Sequence, residues 1–179
     1  ARLDTPAKVN GTAVFGTDVD LPGMLYGTVR HCKVFGEKLI SVDDIKSKEV
    51  PGVIAVIPLK DHAVVVADST WAAMKGADVL KLVTSGGHKD LSDESIFRRF
   101  RSDLFKSGVT AAQVGDSSKA IAKANKVLEL EYEMPMQAHA TMEPLCATAS
   151  VNPDECNIWA PVQNQDAVMG VAVAVTNLP

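Results

Sequence analysis

Cysteine is scarce in this chain and badly spaced for metal chemistry. The 179 residues hold three, Cys32, Cys146 and Cys156, with no C-x-x-C pair among them. A zinc knuckle or a cysteine-held iron–sulfur cluster needs closely spaced thiolates, so neither is supported. All three read as small buried hydrophobes that carry a thiol, in preference to a Cys146–Cys156 disulfide across a hairpin. An excess of positive charge is absent too. Lys and Arg number 18 against 22 Asp and Glu, a formal net charge of −4, and no basic run offers a footprint for nucleic acid or an anionic membrane. No apolar run approaches the roughly 20 residues that span a bilayer. The sequence opens on Ala1-Arg2-Leu3, without an initiator Met or a charged-then-apolar leader. The expectation is a processed or excised piece, its compartment (periplasmic or cytoplasmic) left open.

Motifs that announce a reaction on their own are missing as well. There is no G-x-S-x-G elbow, P-loop, G-x-G-x-x-G or H-E-x-x-H. His139 and Glu143 stand four apart and would share a helix face. Pro135 and Pro144 flank them too closely for a good helix, and no third ligand is in sight. A conventional zinc site is rejected, and no metal ligand is assigned.

What is present is an ordinary globular composition, 46% hydrophobic and 22% charged, enough for one large domain or two small ones. Residues 25–34 are predicted as a strand between Pro22-Gly23 and Gly36, with residues 39–42 as its neighbour. Residues 43–49 read as a short polar helix stopped by Pro51-Gly52. Residues 53–57 and 63–67 are β-branched runs suited to buried central strands. Ser69 or Thr70 caps a predicted helix to about Leu80, with Ala72, Ala73, Met74 and Ala77 as a small-residue face. Residues 81–84 follow as a strand. Together these predict an α+β unit with helices packed on a mixed sheet.

A polar, glycine-rich stretch at residues 85–90 reads as a linker. Beyond it, Ser92 caps a predicted amphipathic helix with Ile96, Phe97, Phe100, Leu104 and Phe105 at helical spacing. Its arginines, Arg98, Arg99 and Arg101, read as solvated charge rather than an anion site. A capped helix is expected over 116–125, then a strictly alternating strand over 127–134. That strand would set Glu129, Glu131 and Glu133 on one face, a solvated row in preference to a metal site. Residues 145–151 and 156–159 form a predicted hairpin around Asn152-Pro153-Asp154. Val168, Val171, Ala172 and Val175 line a final helix.

Two polar concentrations stand out against apolar surroundings. Gln137, His139, Thr141 and Glu143 alternate along one stretch, and Gln163, Asn164 and Gln165 fall at a strand-to-helix turn. Such groups need hydrogen-bond partners. Loop backbone or a bound polar ligand would serve, and the residues alone leave both open.

The order of motifs carries more. Arg2-Leu-Asp-Thr-Pro-Ala-Lys-Val-Asn-Gly11, Leu21-Pro-Gly-Met-Leu-Tyr26, Cys32-Lys-Val-Phe-Gly36 and Val65-Val-Ala-Asp-Ser-Thr-Trp-Ala-Ala73 resemble the a/b hammerhead domain of the aldehyde oxidase/xanthine dehydrogenase family. The Val-Phe-Gly and Trp-Ala-Ala details resemble one branch of it, the β-subunits of isoquinoline 1-oxidoreductase type. Gly115-Asp116, the alternating strand, His139-Ala-Thr-Met-Glu-Pro144 and Trp159-Ala-Pro-Val-Gln-Asn164 are similar to the opening of that family's molybdopterin-binding domain. The resemblance runs almost end to end.

It implies a hammerhead domain at residues 1–84 and an incomplete molybdopterin-binding segment at 85–179. It also implies a parent enzyme that hydroxylates small aromatic N-heterocycles or aldehydes with oxygen from water. Electrons would leave through a small partner subunit carrying two [2Fe–2S] clusters. The cofactor would be molybdopterin, as its cytosine dinucleotide, with none expected on these residues by themselves. Gln163 matches the family's glutamine that donates to an oxo ligand of molybdenum, a role suited to a neutral amide. The family's Gly-Gly-Gly-Phe-Gly cofactor loop is expected beyond Pro179, and its glutamate base matches nothing here, so no catalytic residue is assigned. Two rival expectations stand beside this one, a xanthine- or aldehyde-oxidising branch and a cofactor-free hammerhead interaction module.

The predicted linker gives a first test. Limited proteolysis should cut within residues 85–90 or in the polar stretch 106–114, and preferred cleavage inside 53–67 would break the expected two-part division.

Overall fold

The computed structural model describes residues 2–178, and its elements follow in this order. Helix α1 (Thr5–Val9) and a 3-10 turn (Gly16–Asp18) precede β1 (Tyr26–His31), β2 (Glu37–Asp43), α2 (Ile45–Lys48), β3 (Val53–Pro58) and β4 (His62–Ala67). Then come α3 (Thr70–Val79), β5 (Lys81–Gly86), α4 (Asp93–Asp103) and α5 (Ser117–Ala122). The hairpin β6 (Thr148–Val151) and β7 (Cys156–Trp159) and helix α6 (Gln165–Thr176) complete the order. By internal contacts the chain divides into two compact units, one of Tyr26–Ala138 and one of Ala1–Leu25 with His139–Pro179. Strand β5 continues through Ser85 and Gly86, so the expected linker is shorter than residues 85–90.

The unit Tyr26–Ala138 is organised around β4. Its residues alternate in burial, and Ala63, Val65 and Ala67 have no exposed surface. Strand β4 sits between β1 and β3 in a three-stranded sheet, while β2 pairs with β5 in a second ladder. Both are antiparallel, and so is β6 with β7, which corrects the expected mixed sheet. The reason is connectivity. The short turn from β3 to β4 returns the chain beside itself, and parallel strands would need a long crossover. A second correction concerns β2. The sequence reading sets it beside β1, but its register runs Glu37↔Gly86 to Asp43↔Lys81 with β5. Strand β3, expected to be central, lies at the edge of its sheet.

Helix α3 covers β4 with small residues. Ser69 caps it, accepting a hydrogen bond from the Ala72 amide at 3.4 Å, as the hydroxyl of an N-cap should. Ala72, Ala73, Gly76 and Ala77 are buried in the contact. Gly76 sets the distance. A Cβ there would lie 2.8 Å from Val53 Cγ2 and Val65 Cγ1, and 3.1 Å from Ser47 Oγ. Ser47 is fully buried, and its hydroxyl has no hydrogen-bond partner.

The long stretch after α4 is mostly irregular. Ser92 and Ser95 form a reciprocal cap at the start of α4, with bonds of 3.2 and 3.0 Å. Helix α5 is shorter than expected, although Asp116 caps it by accepting from the Lys119 amide at 3.0 Å. The expected strand over 127–134 does not form, and its residues are exposed. An alternating strand needs a neighbour to pair with its backbone, and among the described residues none pairs there. Its acidic row is nonetheless engaged. Arg101 of α4 donates to Glu131 at 3.2 Å and also to Glu133.

Gly76→Ala should lower stability by about 1–3 kcal/mol, because overpacking two valine methyl groups outweighs the roughly 1 kcal/mol a helix gains from alanine. Ser47→Ala should be near neutral, since it removes an unpaired buried hydroxyl. Urea unfolding of both variants checks the pair, and a stabilised Gly76→Ala protein would contradict the close approach.

Candidate functional site

The other unit holds the residues singled out at the strand-to-helix turn. Its hairpin pairs Thr148↔Trp159, Ala149↔Ile158, Ser150↔Asn157 and Val151↔Cys156. The hairpin turn is locked by Asn152, whose Oδ1 accepts from the amides of Asp154 and Glu155, both at 3.0 Å, an arrangement asparagine favours. Strand β7 ends at Trp159, Val162 N–H reaches Ala160 O at 3.0 Å, and the chain bends at Gln163. Asn164 then caps α6 by accepting from the Ala167 amide at 3.0 Å. At the other end Asn177 adopts the left-handed conformation, φ 56°, and its N–H bonds Val173 O. Three amide side chains therefore follow one another at the turn, Gln163, Asn164 and Gln165, and all three residues are exposed.

The turn lies in the same unit as two concave surfaces. One is a groove of about 680 Å³ whose lining includes Asp4, Lys8, Gly16, Glu143 and Trp159. Glu143 is half-buried, and its Oε1 accepts from the Gly16 amide at 3.2 Å. Thr141 Oγ1 donates to Glu143 O at 2.7 Å. For these two, loop backbone is the partner found. Gln137 and His139 are exposed instead. At the groove's edge, the Arg2 guanidinium and the Lys8 ammonium hold the Asp4 carboxyl far below the usual carboxylate range. The second surface is an apolar groove of about 560 Å³ between the hairpin and α6, with Cys146, Cys156, Ile158, Val168 and Val171 among its lining residues.

Sequence reasoning missed Gly16 as a positioning residue. A Cβ there would come 2.8 Å from Cys146 Sγ and 3.1 Å from Pro161 Cδ. Nothing in a lone Phe-Gly-Thr points to a contact 130 positions away along the chain. The three cysteines are free and half-buried, so the disulfide alternative is not realised. Among the described residues no group of three or more His, Cys, Asp and Glu gathers at metal-binding distance. The donors that are present suit a group held by hydrogen bonds. They are neutral amides on an exposed bend that leads into a helix, and they carry N–H groups without adding charge.

Comparison with known proteins adds the following. Residues 101–179 match the molybdopterin cofactor-binding domain. The chain is 31% identical to a nicotinate dehydrogenase subunit of Pseudomonas putida, over 91% of this chain and 14% of the relative. It is 30% identical to the isoquinoline 1-oxidoreductase beta subunit of Brevundimonas diminuta, over 99% of this chain and 24% of the relative. The fold is similar to that of quinoline 2-oxidoreductase from Pseudomonas putida 86, with a TM-score of 0.69, 14% identity, and coverage of 99% of this chain and 28% of that one. The chain is thus similar over nearly its whole length to subunits of molybdenum hydroxylases, and its fold is α+β. It spans 14% to 24% of the length of the two curated relatives named, both of which are parts of larger assemblies by name. Among the described residues, no helix is long and apolar enough to cross a membrane.

The Glu143–Gly16 contact gives a test of this unit. Glu143→Ala leaves a part-buried N–H without its acceptor and should cost about 1 kcal/mol, the low end for such a loss. Thermal unfolding of Glu143→Ala beside Glu143→Gln checks it, with glutamine expected to recover most of the difference.

Proposed function

We propose that the chain is part of the molybdopterin-bearing subunit of an oxidoreductase that hydroxylates small aromatic N-heterocycles with oxygen drawn from water. The observation that carries this reading is the molybdopterin-domain match over residues 101–179, which contains the exposed amide bend at Gln163. The substrate class is supported by two relatives, whose names give nicotinate and isoquinoline as what they act on. Aldehydes are the second class the same chemistry would take. In this proposal residues 1–84 form the a/b hammerhead domain and 85–179 the opening of the cofactor domain. The cofactor is molybdopterin cytosine dinucleotide, and the electron acceptor is a small [2Fe–2S] subunit.

When bound, the cofactor supplies two-electron oxidation of the substrate carbon. What these residues contribute is binding and orientation. Asn164 spends its side-chain oxygen on the Ala167 amide, which anchors the start of α6 and fixes the bend just before it. Gln163, exposed on that bend, would donate an amide N–H to the cofactor. A neutral donor is the right choice there. It stabilises negative charge on the acceptor without introducing a charge that would shift the redox balance of the centre. The general base of the reaction lies outside these residues, so the chain by itself is expected to be inactive.

Substitution of Gln163 in the full-length subunit tests the reading. Gln163→Ala removes one hydrogen bond to a charged group, worth about 1.5–3 kcal/mol, which corresponds to roughly a ten- to hundredfold lower turnover if the bond tightens in the transition state. Gln163→Glu should be worse, since a carboxylate cannot donate. Melting temperature should hardly change in either, because the side chain is exposed. Molybdenum content is measured alongside. A fully loaded Gln163→Ala protein with wild-type turnover would remove Gln163 from the cofactor site, and a full-length protein that never takes up molybdenum would favour the interaction-module reading.

A further inference from the structure

The unit Tyr26–Ala138 carries a pair of imidazoles that its fold and family leave without a role. His31 ends β1, His62 begins β4, and the antiparallel register sets them directly opposite each other. Directly paired residues project from the same face of a sheet. The two rings face each other with centroids 5.5 Å apart and planes inclined at 44°. His31 is exposed and His62 half-buried, so the space beside the rings is open to solvent.

We infer that His31 and His62 form a surface site for a borderline divalent transition-metal ion of the zinc or nickel type, held by the two imidazoles with water completing its coordination. The separation fits. A zinc–nitrogen bond of about 2.0–2.1 Å puts the ion about 3.2 Å from each ring centroid, and two rings at a tetrahedral angle then lie about 5.2 Å apart. The chemistry fits as well. Imidazole is the ligand that such ions share.

Asp61 supplies a second, independent observation. Its Oδ1 lies 2.5 Å from His62 Nδ1. A carboxylate acceptor there draws the ring proton onto Nδ1, which leaves the Nε2 lone pair free for a metal. A carboxylate behind a histidine is the usual support of a metal-bound imidazole, because it sets the tautomer and makes the ligating nitrogen more basic. His62 is therefore the oriented ligand, and His31 the one that swings in. With only two protein ligands the site is exchangeable. A bound ion would tie the last rung of the β1–β4 ladder, where the strands leave the sheet.

Zinc titration into the complete 179-residue chain, followed by calorimetry and by NMR of the histidine rings, tests the proposal. The chain has four histidines, which makes the assignment simple. The expected result is saturable binding of one ion, with the ring signals of His31 and His62 shifting together and those of His88 and His139 left in place. His31→Gln and His62→Gln should each weaken binding at least tenfold, and Asp61→Asn about ten- to a hundredfold. His139→Gln should leave it unchanged. The ring shifts need no variant, so they stand even if one substitution disturbs the sheet. Absence of saturation at millimolar zinc, shifts at His88 or His139 alone, or full affinity in both His31→Gln and His62→Gln would each overturn the site.

Discussion

Everything in the unit Tyr26–Ala138 depends on how closely one helix approaches one strand. Helix α3 offers alanines and a glycine to Ala63, Val65 and Ala67 of β4. Because Gly76 has no side chain, Val53 and Val65 fill the space that a larger residue would claim. This core is small, and its energy comes from fit more than from area. Few of its side chains exceed valine in size, so each methyl group contributes in proportion to the contacts it makes on all sides. The buried Ser47 hydroxyl belongs to the same economy of volume. A serine is close to alanine in size, and at that point space outweighs the cost of leaving a polar atom unpaired.

Local signals survived translation into structure better than non-local ones. Ser69, Ser92 and Asp116 all cap the helices their positions suggested, because a cap is settled within four residues of chain. The hairpin around Asn152-Pro153-Asp154 forms for the same reason. The partner of β2 was not readable, since β1 and β5 are strands of the same length and register is decided by the whole sheet. The stretch 127–134 has the right alternation for a strand, yet alternation states only which faces differ. A strand also needs a backbone to pair with, and that information is not in the segment itself. Its glutamates instead meet Arg101, thirty residues earlier in the chain.

The candidate site divides along the same line. The strand-to-helix turn at Gln163, Asn164 and Gln165 was visible from residue types alone. The bond from Gly16 to Glu143 was not, because it joins positions that only the fold brings together. Both kinds of feature would matter for the proposed site of neutral donors. An amide contributes little through its charge and much through its placement, so the parts that hold the bend in position count for as much as the amide itself.

The composition of the second unit has a consequence for the order of events during synthesis. Its two parts, Ala1–Leu25 and His139–Pro179, are separated by all of Tyr26–Ala138. At roughly 5–20 residues per second on the ribosome, the first part waits on the order of ten seconds before its partner segment emerges. During that wait the Gly16 amide lacks its Glu143 acceptor, and the space beside it that Cys146 and Pro161 fill is open. The interposed unit is contiguous and can fold as it leaves the tunnel. Its formation shortens the effective loop that the waiting segment must close, and the entropic cost of closure rises with the logarithm of that loop's length. Folding of the interposed unit first therefore lowers that closure cost.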